Sequence, residues 1–468
     1  MPVSRRDLLK RSALGAGVLA IGNVGSLLAA GPAVAAPPNG NGPTGYGPLV
    51  PDPDGILDLP EGFRYQIVSR AGEAMSNTAA LPDRFDGTGA FVAPDGGVRL
   101  VRNHEQGGSA TYPTVGVAPA NLVYDAGAKG GTSTMEIDKY GDKVAEYVSL
   151  AGTYNNCAGG ITPWGTWLTC EETETKANGT TFLQDHGFVF EVDPANAANN
   201  TSPTPLRALG RFAHEAATID PATGNVYLTE DAGSPNGLVY RCVPTNPQPG
   251  YGNLRAGGTL TAMRCRDGAS IVADLSPFTQ IGTELSVEWI GVPDPLAASV
   301  STRKQFQYSG NLAGAPATRS RKFEGMWWAN GRAFIACSYA RLSDGSAAQH
   351  DGQVWSYDPQ TQSLRLEVRF AVNPSPDAGT AGADVPDGPD NITVSPWGGL
   401  LLCEDGEGVQ HLLAVAPDGT TSLFARNHTN DSEFAGATFS PDRHTLFANI
   451  QQPGITFAIT GPFARVNS

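Results

Sequence analysis

Tyr154-Asn155-Asn156-Cys157-Ala158-Gly159-Gly160-Ile161-Thr162-Pro163-Trp164-Gly165-Thr166-Trp167-Leu168-Thr169-Cys170-Glu171-Glu172 reads as a short strand, a tight turn and a second strand ending in two carboxylates. Pro163-Trp164-Gly165 carries the turn chemistry, and the flanks are apolar and β-prone. If the segment folds back as a hairpin, the Cys157 thiol and either Glu171 or Glu172 return to the same edge. A thiolate beside carboxylates is a soft and hard ligand set, and so a candidate metal site.

The same layout recurs along the chain. Related strand, turn and strand patterns run from Gly89 to Glu105, Gly160 to Glu172, Ala217 to Asp231, Gly325 to Ser338, Asn391 to Asp405 and Ala437 to Asn449. Further strand-like stretches fill the gaps, among them Ser133 to Ile137, Val144 to Leu150, Leu238 to Cys242, Gln353 to Tyr357 and Leu364 to Phe370. Six hairpins with extra strands between them predict an all-β fold, a six-bladed β-propeller with long inter-strand loops around a central channel. The turns are unevenly spaced, unlike short-module propellers, and Pro244 to Gly258 and Leu296 to Ala317 read as long surface loops. A sandwich would need fewer, longer strands and leaves six similar hairpins unexplained.

Composition agrees. Gly 57 and Pro 36 in 468 residues, with only 16% charged residues, describe a turn-dense chain poor in helix. The net charge of -15 and the lack of clustered Lys and Arg exclude a nucleic-acid backbone as the main partner. The balance suits a protein that collects cations. Ser4-Arg5-Arg6-Asp7-Leu8-Leu9-Lys10, the weakly apolar run from Ala13 to Ala30 and the Ala33-Val34-Ala35 box read as a twin-arginine signal peptide over 1–35. A flexible N-terminal segment, 36–60, and a single propeller domain, 61–468, are expected to follow. The export machinery is then a partner, the location periplasmic, cell-surface or extracellular, and no stable membrane anchor is expected, since no later apolar run reaches about 18 residues. The mature protein is expected to be a monomer.

Cys170, Cys337 and Cys403 sit late in apolar strands and read as packed thiols, while Cys242 and Cys265 flank a long loop and offer a disulfide after export. Cys157 differs, because Asn156, Ala158, Gly159 and Gly160 offer it little apolar packing. In a propeller the residues that open and close each inner hairpin meet at one mouth of the channel. Here those positions hold mostly carboxylates, and so many like charges near a low-dielectric channel call for counter-cations. Glu105, Cys157, Glu171, Glu215, Glu324, Asp390, Glu404 and Glu433 are the candidate metal ligands. Oxygen donors in quantity suit Ca²⁺, and a thiolate with carboxylates can hold Fe³⁺. His104 and His214 read as orienting neighbouring glutamates rather than as ligands. The sequence contains no HExxH, CxxC or EF-hand pattern, and neither a GxSxG elbow nor a P-loop.

Asn103-His104-Glu105, the segment from Asn155 through Cys157 to Glu172, His214-Glu215-Ala216 and Asp387-Gly388-Pro389-Asp390-Asn391 resemble the PhoX-type alkaline phosphatases, over about Gly62 to Pro462. The resemblance implies an exported six-bladed propeller that hydrolyses phosphomonoesters, small-molecule phosphate esters, with iron and calcium clustered in the channel. It implies iron ligation by Cys157, and iron or calcium ligation by Glu215 and Glu324. The family pattern places a phosphate-holding arginine two residues before the glutamate matching Glu324, and this chain has Lys322 there, a point charge without the bidentate fork. Lys322 and Arg321 are therefore the candidate catalytic residues, with Arg319 a further substitute. The expected mechanism is attack by an oxide or hydroxide held between the metals, with calcium stabilising charge on the equatorial oxygens. A calcium-dependent propeller esterase or lactonase would use similar acids without a thiolate, and a non-catalytic metal-binding propeller would tolerate Lys322.

Overall fold

The structure is a computed structural model and describes residues 45–77, 80–108, 110–306, 316–375 and 383–464. The signal-peptide reading at 1–35 and the start of the 36–60 segment lie outside the described residues. Regular structure here is nearly all strand, broken only by 3-10 turns of three to five residues. No helix of the described residues is long and apolar enough to cross a membrane.

Six inner strands, Phe85–Val92, Asn156–Ile161, His214–Ile219, Phe323–Ala329, Pro389–Val394 and Phe434–Phe439, stand side by side in chain order, and the sixth packs against the first. Each pairs antiparallel with the next strand of its hairpin, Val98–His104, Trp167–Glu171, Val226–Glu230, Arg332–Cys337, Leu400–Glu404 and Thr445–Ile450 respectively. The propeller expected from the recurrent hairpins is the observed fold. The last blade is completed by Arg64–Arg70 from the other end of the chain, which pairs with Ile455–Thr460 and closes the ring. Between the third and fourth blades, Glu284–Gly291 bonds to the outer strand of each and joins them into one sheet of ten strands.

Two details differ from the sequence reading. Leu49–Val50 and Leu57–Pro60, within the segment expected to be flexible, are strands that extend the fifth blade. They are held by the Asp52 carboxylate, which accepts from Ile56 N, Leu57 N and the Tyr65 hydroxyl, and by burial of Leu57 and Leu59. Cys242 and Cys265 are free, buried thiols; Cys242 faces Leu260 on the neighbouring strand, out of register with Cys265.

One irregularity repeats in every blade. Just inside the start of each inner strand the pairing register slips, leaving bulged residues: Asp86-Gly87, Cys157-Ala158, Glu215-Ala216, Glu324-Gly325, Asp390-Asn391 and, one place later, Gly436-Ala437. A bulge bends a strand and re-aims a side chain. Gly or Ala at its second position, in every blade but the fifth, lets neighbouring blades close. A Cβ on Gly87 would lie 2.7 Å from Ala158 Cα, and one on Gly325 would lie 2.8 Å from Asn391 Cα. Bulged carbonyls, which a slipped ladder leaves without a strand partner, are bound from the preceding blade. Asn103 Nδ2 donates to Cys157 O and Ala158 O at 2.6 and 2.7 Å, Thr229 Oγ1 to Glu324 O at 2.7 Å, and Asn449 Nδ2 to Asp86 O at 2.9 Å.

The apolar clusters lie between and within the blades, with Trp167 filling the seam between the first two and its indole N–H fixed on Asn103 Oδ1 at 2.9 Å. Cys170, Cys337 and Cys403 pack in such clusters, as their sequence neighbours imply. Gly325→Ala should therefore force the fourth and fifth blades apart and cost about 1–3 kcal/mol, measured by thermal unfolding, because the clashing atoms are backbone and have no rotamer to yield.

Candidate metal centre

Bulges in the second to fifth blades bring their first residues, Cys157, Glu215, Glu324 and Asp390, to the channel mouth, where Glu172, Asp405 and Glu433 join them from strand ends. Three overlapping groups result, each with its ligand atoms within 4.8 Å of one another: Cys157, Glu172 and Glu215; Glu215, Glu324 and Asp390; Asp390, Asp405 and Glu433. Glu215 belongs to the first two groups and Asp390 to the last two, so they form one continuous chain of donors across the mouth. Five of the predicted ligands, Cys157, Glu215, Glu324, Asp390 and Glu433, are thus brought together.

Glu171 and Glu404 are not. Side chains alternate along a strand, so of two adjacent acids at a strand end only one faces the channel. Glu171 turns away and accepts from Tyr154 N at 2.9 Å, Gly187 N at 2.8 Å and Phe188 N at 3.0 Å, with His186 Nδ1 at 2.6 Å. Glu404 likewise accepts from Asp387 N at 2.9 Å and pairs with His411 Nδ1 at 2.7 Å. Their successors, Glu172 and Asp405, face the mouth instead. The same division holds in the third blade, where Glu230 is bound by Tyr240 and Arg303 while Asp231 meets Arg321 and Lys322. In the first blade His104 turns to Asp83 O and Ser133 Oγ, and Glu105 is held by Asn155 Nδ2 at 3.1 Å and Gln451 Nε2 at 2.6 Å. Asn155 also donates to Glu172 at 2.9 Å, so one amide fixes two of the acids. His214 donates no ligand atom to the groups; its Nε2 lies 3.2 Å from Gly210 O and its ring lies against Phe212.

Sequence reading missed Asp86. It occupies the bulge of the first blade as Cys157 does that of the second. The signal was present, because Phe85-Asp86-Gly87 repeats Phe323-Glu324-Gly325.

The electrostatics follow from this crowding. Burial pushes Asp86, Glu172, Glu215, Glu324 and Glu433 well above the usual carboxylate range, and their acidic neighbours push the same way. Asp390 is raised to about 7 by burial and by Asp405. The Cys157 thiol is held well up by burial and by Glu215 and Glu172, and its S–H lies 3.2 Å from His214 O. Lys322 sits within the acids, its Nζ 3.0 Å from Glu324 and 3.7 Å from both Asp231 and Asp405. Burial would strip its proton, but those carboxylates hold its ammonium well above the ordinary lysine value. Arg321 is 3.3 Å from Asp231 and 3.5 Å from Asp344, over the Tyr339 ring. Arg319 is a buried structural residue, donating to the carbonyls of Asn236, Arg303 and Phe306. One ammonium cannot neutralise this many acids, so the donor set fits bound cations.

Fold and site together define an all-β propeller with a thiol-bearing, carboxylate-lined channel mouth. The chain matches the family described as alkaline phosphatase PhoX over residues 44–145 and 141–454. It belongs to that family, and is thereby a phosphoric monoester hydrolase. Among solved structures it is similar to Pseudomonas fluorescens PhoX in complex with vanadate, a transition state analogue, with a TM-score of 0.63 and 20% identity over 88% of this chain and 96% of that one. A Xanthomonas campestris gluconolactonase aligns at a TM-score of 0.36 and 13% identity over 89% and 98% of the two chains. A sequence comparison with curated proteins finds no match.

With cations removed, the raised carboxyls make the folded chain hold more protons than the unfolded one. For Asp390 this window runs from the ordinary 3.8 to about 7. Stability of the chelator-treated protein should therefore fall as pH rises through that window, since the acids must then ionise together. Thermal unfolding from about pH 4 to pH 8 should show a falling midpoint without Ca²⁺ and its recovery when Ca²⁺ is added, as for a ligand that binds only the folded state.

Proposed function

We propose that this chain is an exported, metal-dependent phosphatase that hydrolyses phosphomonoesters at an iron and calcium cluster in the propeller channel. The observation that carries the reading is the chain of three donor groups with one thiol at its end, in a member of the alkaline phosphatase PhoX family. Cys157, Glu172 and Glu215 form a mixed sulfur and oxygen set suited to Fe³⁺. The two groups that share Asp390 offer oxygen alone, which suits Ca²⁺. When bound, such cations polarise a phosphoryl group and lower the pKa of water.

The chain's own residues orient and balance charge. Asn155 and Gln451 keep Glu105 and Glu172 aimed at the mouth. Lys322 is spread over three carboxylates. With cations held by those carboxylates, the Lys322 ammonium would be free to meet the non-bridging oxygens of the ester, with Arg321 beside it as the second candidate contact. Neither residue is asked to be a nucleophile. The substrate class is a small phosphate ester, and the natural ester is set by the loops around the mouth. The propeller acts as one domain that includes the strands at Leu49–Val50 and Leu57–Pro60, and the protein works as a monomer. The twin arginines at Arg5 and Arg6 direct the folded chain out of the cytoplasm, to the periplasm, cell surface or medium.

Protein purified without chelator should contain iron, and with Ca²⁺ present should hydrolyse an aryl phosphate. Cys157→Ala should lose the iron and activity by about 100-fold or more, beyond the loss typical of a residue that only supports a ligand. Cys403→Ala should keep both and lose roughly 1 kcal/mol of stability, the order expected for one small buried group. Full activity in iron-free protein would overturn the iron assignment. Hydrolysis of lactones or carboxyl esters without phosphate esters would overturn the phosphatase.

A further inference from the structure

Two blades that face each other across the channel carry the same four-residue element. In the first it is Arg84-Phe85-Asp86-Gly87, and in the fourth Lys322-Phe323-Glu324-Gly325. The likeness extends to the backbone. Arg84 and Lys322 both take left-handed conformations, with φ of 53° and 48°. Both phenylalanines are fully buried and pair at the last register position before the bulge, Phe85 with His104 and Phe323 with Cys337. Both acids occupy the bulge, and both glycines lie against the backbone of the next blade.

The left-handed turn by itself is a device of the fold. Asn155 and Gly388 take it at the same place in the second and fifth blades, with φ of 56° and 45°. What separates the first and fourth blades is charge. The six equivalent positions hold Arg84, Asn155, Ala213, Lys322, Gly388 and Glu433, so a cation stands at only two, and these are opposite each other in the ring. A charged side chain in a conformation that costs about 1–2 kcal/mol relative to the right-handed one is placed by its backbone and not by chance.

Arg84 stands beside a strand end that carries an acid of the mouth. Its carbonyl accepts from Glu105 N at 3.0 Å, tying it to the strand end that carries a mouth-facing acid. Burial raises the Glu105 carboxyl, and the positive charge of Arg84 opposes that rise. The Lys322 ammonium is a point charge among three carboxylates, and a guanidinium can present two parallel N–H donors to a pair of phosphate oxygens.

We propose that Arg84 is a second phosphate-binding residue, contacting the non-bridging oxygens from the first blade while Lys322 approaches from the fourth. The inference rests on the phosphatase reading above. Two cations set across the mouth suit a dianionic phosphomonoester, which presents charged oxygens to both sides, better than a diester with one charge.

The test uses full-length, metal-loaded protein and the variant Arg84→Asn, since asparagine already fills the equivalent left-handed position at Asn155. KM for an aryl phosphate and the inhibition constant of inorganic phosphate should both rise about 10- to 100-fold, the order of one lost charge-assisted hydrogen-bond pair. Iron, calcium and unfolding temperature should stay as in the parent, and Arg84→Lys should recover part of the loss. Unchanged KM and phosphate inhibition in an active enzyme would overturn the inference and leave the phosphatase reading standing. Loss of metal in Arg84→Asn would also overturn it, showing a residue that only balances Glu105. A parent that neither hydrolyses the ester nor binds inorganic phosphate would overturn both.

Discussion

Mutual repulsion among buried carboxylates at one end of the channel is the constraint on which the rest of the structure turns. Asp86, Glu172, Glu215, Glu324 and Glu433 are all pushed well up by burial and by one another. A fold that gathers acids this way is stable at neutral pH only if they keep protons, share a cation or bind metal. Lys322 is the local cation inside the group, reaching three acids. The bulges of the first five blades add to the crowding, because each places its first residue among acids that also come from the strand ends, Glu172, Asp405 and Glu433. The clamps from Asn103, Thr229 and Asn449 hold those bulges by bonding the carbonyls that the slipped ladder exposes. Packing, backbone geometry and electrostatics are therefore parts of one arrangement.

The acids that face away show the same logic in reverse. Glu171, Glu230 and Glu404 are as buried as the mouth residues, yet each is held by named donors. His186 bridges Glu171 and Asp125, at 2.6 and 3.3 Å. His411, pushed up to about 9 by Glu404 and Asp384 despite burial, is a buried cation in the same role. These pairs tie the strand ends to surrounding loops, and so fix the direction in which Glu172 and Asp405 point. Each of the three strands thus ends in an anchoring acid followed by a mouth-facing one.

Much of this was legible in the chain. The turns at Pro94-Asp95-Gly96, Pro163-Trp164-Gly165 and Pro396-Trp397-Gly398, with apolar flanks, specify local hairpins whose recurrence makes the propeller. Cys157, among small and polar sequence neighbours, reads as a thiol with little apolar packing, yet it is buried in the apolar cluster of Leu168, Cys170 and Phe212 while its sulfur also lies beside Glu172 and Glu215. The choice between Glu171 and Glu172, or Glu404 and Asp405, could not be read, since it depends on which residue of the strand end faces inward, and bulges alter that count. Asp86 lies ahead of the hairpin read from Gly89, so only its likeness to Phe323-Glu324-Gly325 signals it. The order at residues 49–60 depends on Asp52 and Tyr65 meeting in space, which the sequence does not display. Cys242 and Cys265 looked like loop ends and are neighbours in a sheet, out of register.

The chemistry proposed for the mouth depends on one soft donor, Cys157, holding a metal at the end of an oxygen-rich chain. X-ray absorption at the iron edge on protein purified without chelator tests it most directly. Iron with a single sulfur neighbour and oxygen neighbours is expected, with loss of the sulfur contribution in Cys157→Ser. Iron surrounded by oxygen alone in the parent, or a sulfur signal that survives that substitution, would contradict it.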